Sequence, residues 1–99
     1  MLQIRKTVTD GKAILAPAGR LDTLTSPEFD LAIKEITPNV DELTLDLAEL
    51  EYISSAGLRV LLTAQKAMAV RGKMIVKNPN ETVSEIFEVT GFRDILNIE

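Results

Sequence analysis

The sequence has no cysteine and no histidine. Those absences remove thiol nucleophiles, imidazole bases, phosphohistidine carriers and most transition-metal sites. Aromatic mass is scarce, one Tyr and three Phe, so a core must be built mostly from Leu, Ile, Val and Ala. Long apolar runs are missing as well. The longest, Leu58 with Val60-Leu61-Leu62 and the stretch Ala13 to Ala18, fall far short of the ~20 residues a membrane span requires. Met1 is followed almost at once by Gln3, Arg5 and Lys6, so no signal peptide is expected and the default compartment is the cytoplasm. Positive charge is in deficit, 11 Lys and Arg against 15 Asp and Glu for a net −4. That balance argues against nucleic acid, which a basic patch would have to hold. Phosphate-cradling Gly-x-x-x-x-Gly-Lys, dinucleotide Gly-x-Gly-x-x-Gly and hydrolase Gly-x-Ser-x-Gly motifs are absent. No Asp-x-Asp loop with metal spacing appears either. No metal, cofactor or catalytic group is therefore expected. A small enzyme using a Ser and carboxylates remains a rival, weakened because no base stands at plausible spacing.

What is present organises simply. Ninety-nine residues suffice for one domain over 1–99, burying somewhat more than ~60% of the unfolded surface. Leu2, Ile4 and Val8 at even spacing predict a half-buried strand. Asp10-Gly11 then predicts a tight primed turn, and Ala13 to Ala16 the returning strand, ended by Pro17 and Gly19. Thr25-Ser26-Pro27-Glu28 reads as a helix start with a hydroxyl cap and a capping-box glutamate. Phe29, Ile33 and Ile36 share that helix's inner face, and Pro38 stops it. Leu43, Leu45 and Leu47 alternate as a second strand. A helix follows from about Ala56 to Val70 with Gly72 as its C-cap, then a strand over Lys73 to Lys77. Asn78-Pro79 suggests a cap and first-turn proline for a third helix, with Val83, Ile86 and Phe87 inward and Gly91 at its end. Ile95, Leu96 and Ile98 close the chain as a turn or edge strand. A strand, a 15-residue helix and a strand between Leu43 and Lys77 must be a crossover joining parallel neighbours. The fold class is α/β: an opening antiparallel hairpin, then parallel strands in a mixed sheet with helices.

The second helix carries the most informative residues. Of the adjacent serines Ser54 and Ser55, one can cap the helix while the other's hydroxyl points outward. A phosphate there would meet backbone N–H groups and the positive end of the helix dipole. At 100° per residue, Leu61, Ala64 and Met68 centre the buried face, and Arg59, Thr63, Lys66 and Val70 form an outer strip. Leu58 and Leu62 fall on the border, as edge-of-core residues or as an apolar rim beside Arg59 and Lys66 where a partner docks. Gln65 lies in the apolar arc and must find a hydrogen-bond partner. Asp46 reads as a strand-end residue bonding local backbone, and Asp22 can likewise anchor the loop before the first helix. Asn80-Glu81-Thr82 matches a glycosylation triplet, read as an ordinary first helical turn.

The run from Asp46 to Leu62, with Ser54-Ser55-Ala56-Gly57-Leu58 at its centre, resembles the signature of STAS domains, in particular bacterial anti-sigma factor antagonists. Gly19-Arg20-Leu21-Asp22 is similar to that family's Gly-x-Leu-Asp segment, and the order of elements agrees from end to end. The resemblance implies that Ser55 is a phosphoacceptor and that Asp22 lies near it, facing a kinase. It implies a partner that is an anti-sigma factor of the serine-kinase type, bound by the unmodified form so that a sigma factor is released. A separate serine phosphatase would reverse the modification. Many phosphorylated members carry Asp where Ser54 stands here; Ser54 can cap the helix but brings no charge. The neighbouring expectation is a STAS subunit of a transporter-associated or stress-signalling complex, acting by binding without phosphorylation.

Overall fold

The hairpin forms where the turn chemistry demands it. The structure, a computed structural model, describes residues 2–99. Strand β1 (Gln3–Thr9) pairs antiparallel with β2 (Lys12–Leu21), with Thr9 opposite Lys12. Asp10 and Gly11 between them both take positive φ, 49° and 77°, as a type I′ turn requires. Leu2 is buried, but Val8 at the hairpin tip lies beyond the core and is half-exposed. Helix α1 (Ser26–Ile36) follows, then a 3₁₀ turn over Thr37–Asn39, β3 (Glu42–Asp46) and β4 (Leu50–Ile53). Helix α2 (Ser55–Arg71), β5 (Lys73–Lys77), α3 (Glu81–Thr90) and a 3₁₀ turn over Phe92–Asp94 complete the chain.

The sheet runs β1-β2-β3-β5, with β3 parallel to both β2 and β5 as the crossover requires. Strand β2 does not end at Pro17 and Gly19 as the sequence suggests; it continues to Leu21 and serves two partners. Residues Lys12 to Leu15 pair with β3, and Gly19 to Leu21 pair with β4, also in parallel. Pro17 falls in the gap between those partners, where no ladder asks for the N–H it lacks. Strand β4 itself is absent from the sequence reading.

One core joins the layers. Ala13, Leu15, Leu43, Leu45, Met74 and Val76 from the strands meet Phe29 and Ile33 of α1, Leu61, Ala64 and Met68 of α2, and Val83 and Phe87 of α3. Each Val, Leu, Ile, Met or Phe side chain among them contributes about 1.5–3 kcal/mol by leaving water. The expected inner faces of all three helices are therefore the observed ones. Gly72 ends α2 for a reason of space. Its φ of 176° suits any residue, but a Cβ there would overlap the Asp41 carbonyl oxygen, which accepts from Lys73 N at 3.0 Å.

Two helix starts differ from expectation. Neither Thr25 nor Ser26 caps α1 with its side chain: Thr25 turns back to the preceding loop, and the buried Ser26 Oγ has no partner. For α3 the cap is Asn80, not Asn78; its Oδ1 accepts from Val83 N at 2.8 Å. Asn78 instead takes a φ of 59° and donates to Asp46 Oδ1 at 3.0 Å, tying the loop after β5 to the loop after β3. At the C-terminal end Ile98 bridges to Val76 in parallel, the edge contact the closing residues suggest.

Candidate functional site

The paired ends of β2 and β4 set the position of everything around Ser55. Leu21 lies opposite Ile53, and the Leu21 carbonyl accepts from Ser54 N at 2.8 Å, so Asp22 and Ser54 leave the sheet side by side. Gly57 lets the first turn of α2 rest on those strand ends, because a Cβ there would meet the Ile53 side chain at 2.7 Å and Leu21 Cβ at 3.0 Å. The backbone of Ser54 is extended, φ −93° and ψ 177°, and its Oγ accepts from Gly57 N at 3.4 Å, a long cap. Ser55 is the first helical residue and is exposed. The two serines thus divide the tasks of cap and outward hydroxyl.

Asp22 is held by its own loop. Its Oδ1 accepts from Leu24 N at 2.9 Å and Thr25 N at 3.0 Å, while Thr25 Oγ1 accepts from Asp22 N at 2.9 Å and donates to the Arg20 carbonyl at 2.7 Å. The bond from the Thr25 N–H is the main cause that keeps the carboxyl below its ordinary value; desolvation opposes it, and the Thr25 hydroxyl, the Leu24 N–H and the nearby Arg20 charge each add a smaller lowering effect. The loop also projects Leu24, 85% exposed, which the sequence reading did not single out. Arg20 lies over the ring of its cross-strand partner Tyr52, 4.5 Å from the centroid, a pair invisible without β4. Asp46 belongs to a separate loop, accepting from Ala48 N and Asn78 Nδ2.

Along α2, Arg59 and Lys66 are exposed and Leu62 is half-buried, giving the outer strip its cations and one apolar flank. Leu58 corrects the border expectation. At 6% exposure it is a core residue, drawn in because the turn beginning at Gly57 sits low on the strands, and it has little surface to offer a partner. Gln65 lies half-buried, and its Oε1 has no partner. The charge on this helix is one-sided: Arg59, Lys66 and Arg71 with no carboxylate, in a chain of net −4. Arg71 is committed to the fold, donating to the carbonyls of Pro38 at 2.7 Å and Val40 at 3.3 Å. Arg59 and Lys66 form no ion pair among the described residues. No helix among them is long and apolar enough to cross a membrane.

The geometry is that of a preformed surface patch without a deep cleft: an exposed serine at a helix start, a rigid acidic loop beside it and two uncommitted cations along the helix. Comparison with known proteins bears on the family and the fold. The STAS domain family model matches residues 3–99. The chain is 34% identical over 94 residues to BtrV of Bordetella bronchiseptica, described as a candidate anti-sigma factor antagonist, covering 90% of this chain and 78% of that protein. The structure of an anti-sigma factor antagonist from Mycobacterium paratuberculosis has the same fold, with a TM-score of 0.90 at 19% identity over 99% of this chain and 85% of that one. The anti-sigma factor antagonist SpoIIAA in its unphosphorylated form gives a TM-score of 0.81 at 22% identity over 100% of this chain and 88% of that one. SpoIIAA of Bacillus in its phosphorylated form gives 0.74 at 20% identity, over 100% of this chain and 91% of that one.

Proposed function

Because the chain belongs to the STAS domain family, we propose that it is an anti-sigma factor antagonist switched by phosphorylation of Ser55. It works by binding, with no chemistry of its own. In the unmodified state it holds an anti-sigma factor of the serine-kinase type and so frees a sigma factor in the cytoplasm, where ATP is at hand. The kinase moves the γ-phosphoryl of ATP onto the Ser55 hydroxyl, leaving ADP and releasing the hydroxyl proton. A serine phosphatase hydrolyses the ester and restores binding.

The observation that carries this reading is the division of labour at the start of α2. Ser54 serves as the cap, Ser55 is exposed, and the first turn holds no acidic side chain. A dianion at Ser55 would therefore meet free N–H groups and the positive helix end with no competing carboxylate on that turn. The docking surface is the outer strip of Arg59, Leu62 and Lys66 together with Ser54, Ser55 and the Asp22 loop. SpoIIAA, known in phosphorylated and unphosphorylated forms, supports a switch of this kind.

Incubation with the cognate anti-sigma kinase and ATP, followed by intact-mass and fragment spectra, tests the assignment. One phosphate at Ser55, abolished by Ser55→Ala, is expected; a phosphate on Ser54, or none with an active kinase, overturns it. Ser54 in place of the aspartate common in phosphorylated relatives favours one second reading. In it the chain is a STAS subunit of a transporter-associated or stress-signalling complex that uses the same surface without modification. Binding indifferent to a phosphate at Ser55 selects that reading.

A further inference from the structure

Arg59 stands four residues after Ser55, and both side chains are exposed. Residues at this spacing face each other across one helical turn, about 5–6 Å apart at Cβ, and the order acid first, base second is the favourable one. Arg59 has nothing else to hold: α2 contains no carboxylate, and Arg59 enters no ion pair among the described residues. The other cations are differently placed. Arg20 lies against the Tyr52 ring, Arg71 is bonded to the carbonyls of Pro38 and Val40, and Lys66 is eleven residues from Ser55, about 16 Å along the helix axis.

We propose that a phosphate on Ser55 captures Arg59 across one turn of α2, so that modification withdraws a cation from the docking strip as well as adding an anion. The inference rests on Ser55 as the phosphoacceptor, and it adds the identity of the group that answers the phosphate. A guanidinium suits the task because its planar fork can give two parallel bonds to phosphate oxygens. In the unmodified protein Arg59 extends towards the partner. In the modified one it folds back towards the helix start, and the partner meets a strip whose remaining uncommitted cation is Lys66.

The test needs no kinase, which separates its failure from failure of the functional reading. Phosphoserine is placed at position 55 of the full chain by genetic encoding, and the phosphate is titrated by phosphorus NMR in wild type, Arg59→Gln and Lys66→Gln. Capture stabilises the dianion, so at a fixed pH near the second ionisation the dianion-to-monoanion ratio should be about twofold higher in wild type than in Arg59→Gln. Lys66→Gln should titrate as wild type does. Identical titrations of wild type and Arg59→Gln overturn the proposal. So does an equal loss in Lys66→Gln, which would mean that the phosphate responds to the general field of α2 and not to Arg59.

Discussion

Helices α2 and α3 lie against the same sheet and begin in the same way, yet their ends are complemented in opposite senses. Ser54 caps α2 through Gly57 N at 3.4 Å, and Asn80 caps α3 through Val83 N at 2.8 Å. Asn80 also donates to the Leu50 carbonyl at 3.0 Å, binding the start of α3 to β4. Helix α3 then places Glu81 in its first turn, carries Glu85 and Glu88, and has no cation; α2 has no acid anywhere and a basic last turn at Arg71. A helix start attracts negative charge and a helix end positive charge. Glu81 satisfies the start of α3 permanently. At α2 only the end is met by a side-chain charge, and the first turn holds none. In the proposed switch, that vacancy is what a removable phosphate fills.

The largest expected effect tests whether the vacancy at α2 serves regulation. A phosphate at Ser55 should weaken binding of the anti-sigma factor by about two decades, ~3 kcal/mol, because the partner must desolvate a dianion where it accepted a hydroxyl. The melting temperature of the free domain should not fall, and the anion at the helix start should raise it slightly. Titration calorimetry and melting curves of the two forms decide the matter; a domain that melts on modification would mean that α2 was no readier for an anion than α3.

A smaller effect compares the caps directly. Asn80→Ala should cost about 1–2 kcal/mol in urea unfolding, and Ser54→Ala about 0.5–1 kcal/mol, since the first cap is shorter and carries a second bond. Equal losses would erase the distinction drawn from the distances. Smallest of all is the exchange of first-turn charges. Ser55→Asp should stabilise the fold by ~0.3–1 kcal/mol and Glu81→Gln should destabilise it by a similar amount, both fading in high salt. A stabilised Ser55→Asp that also binds its partner more weakly would show stability and function diverging at one residue.

Much of this contrast was legible in the sequence. The alternation of Leu43, Leu45 and Leu47 and the helical spacing of Phe29, Ile33 and Ile36 fixed faces that tertiary packing only had to join. Adjacent serines before Gly57 already implied one cap and one free hydroxyl. What escaped depends on contacts between distant segments. Strand β4 is four residues long, with adjacent exposed and half-buried positions at its centre, and it exists because the far end of β2 offers it a partner. Pro17 looks like a terminator until β2 is seen to change partners around it. Asn78 and Asn80 flank the same proline, and the choice of cap follows from Asp46 claiming the first and Val83 with Leu50 the second. Leu58 sits on the border of an ideal helical wheel, and only the close seat that Gly57 allows turns that border inward.

Strand β2 has a consequence for how the site fluctuates. Its ten residues pair with β1 on one side and with β3 and then β4 on the other, and its last carbonyl holds the amide of Ser54. Loosening the approach to α2 means breaking the Leu21–Ser54 bond at the end of β2 that β4 alone pairs, but Leu21, Leu50 and Ile53 there are fully buried, so the patch opens with the core beneath it and not as a frayed edge. In the proposed complex the partner would meet a surface whose conformational freedom was surrendered when the chain folded, and docking would not have to order it a second time.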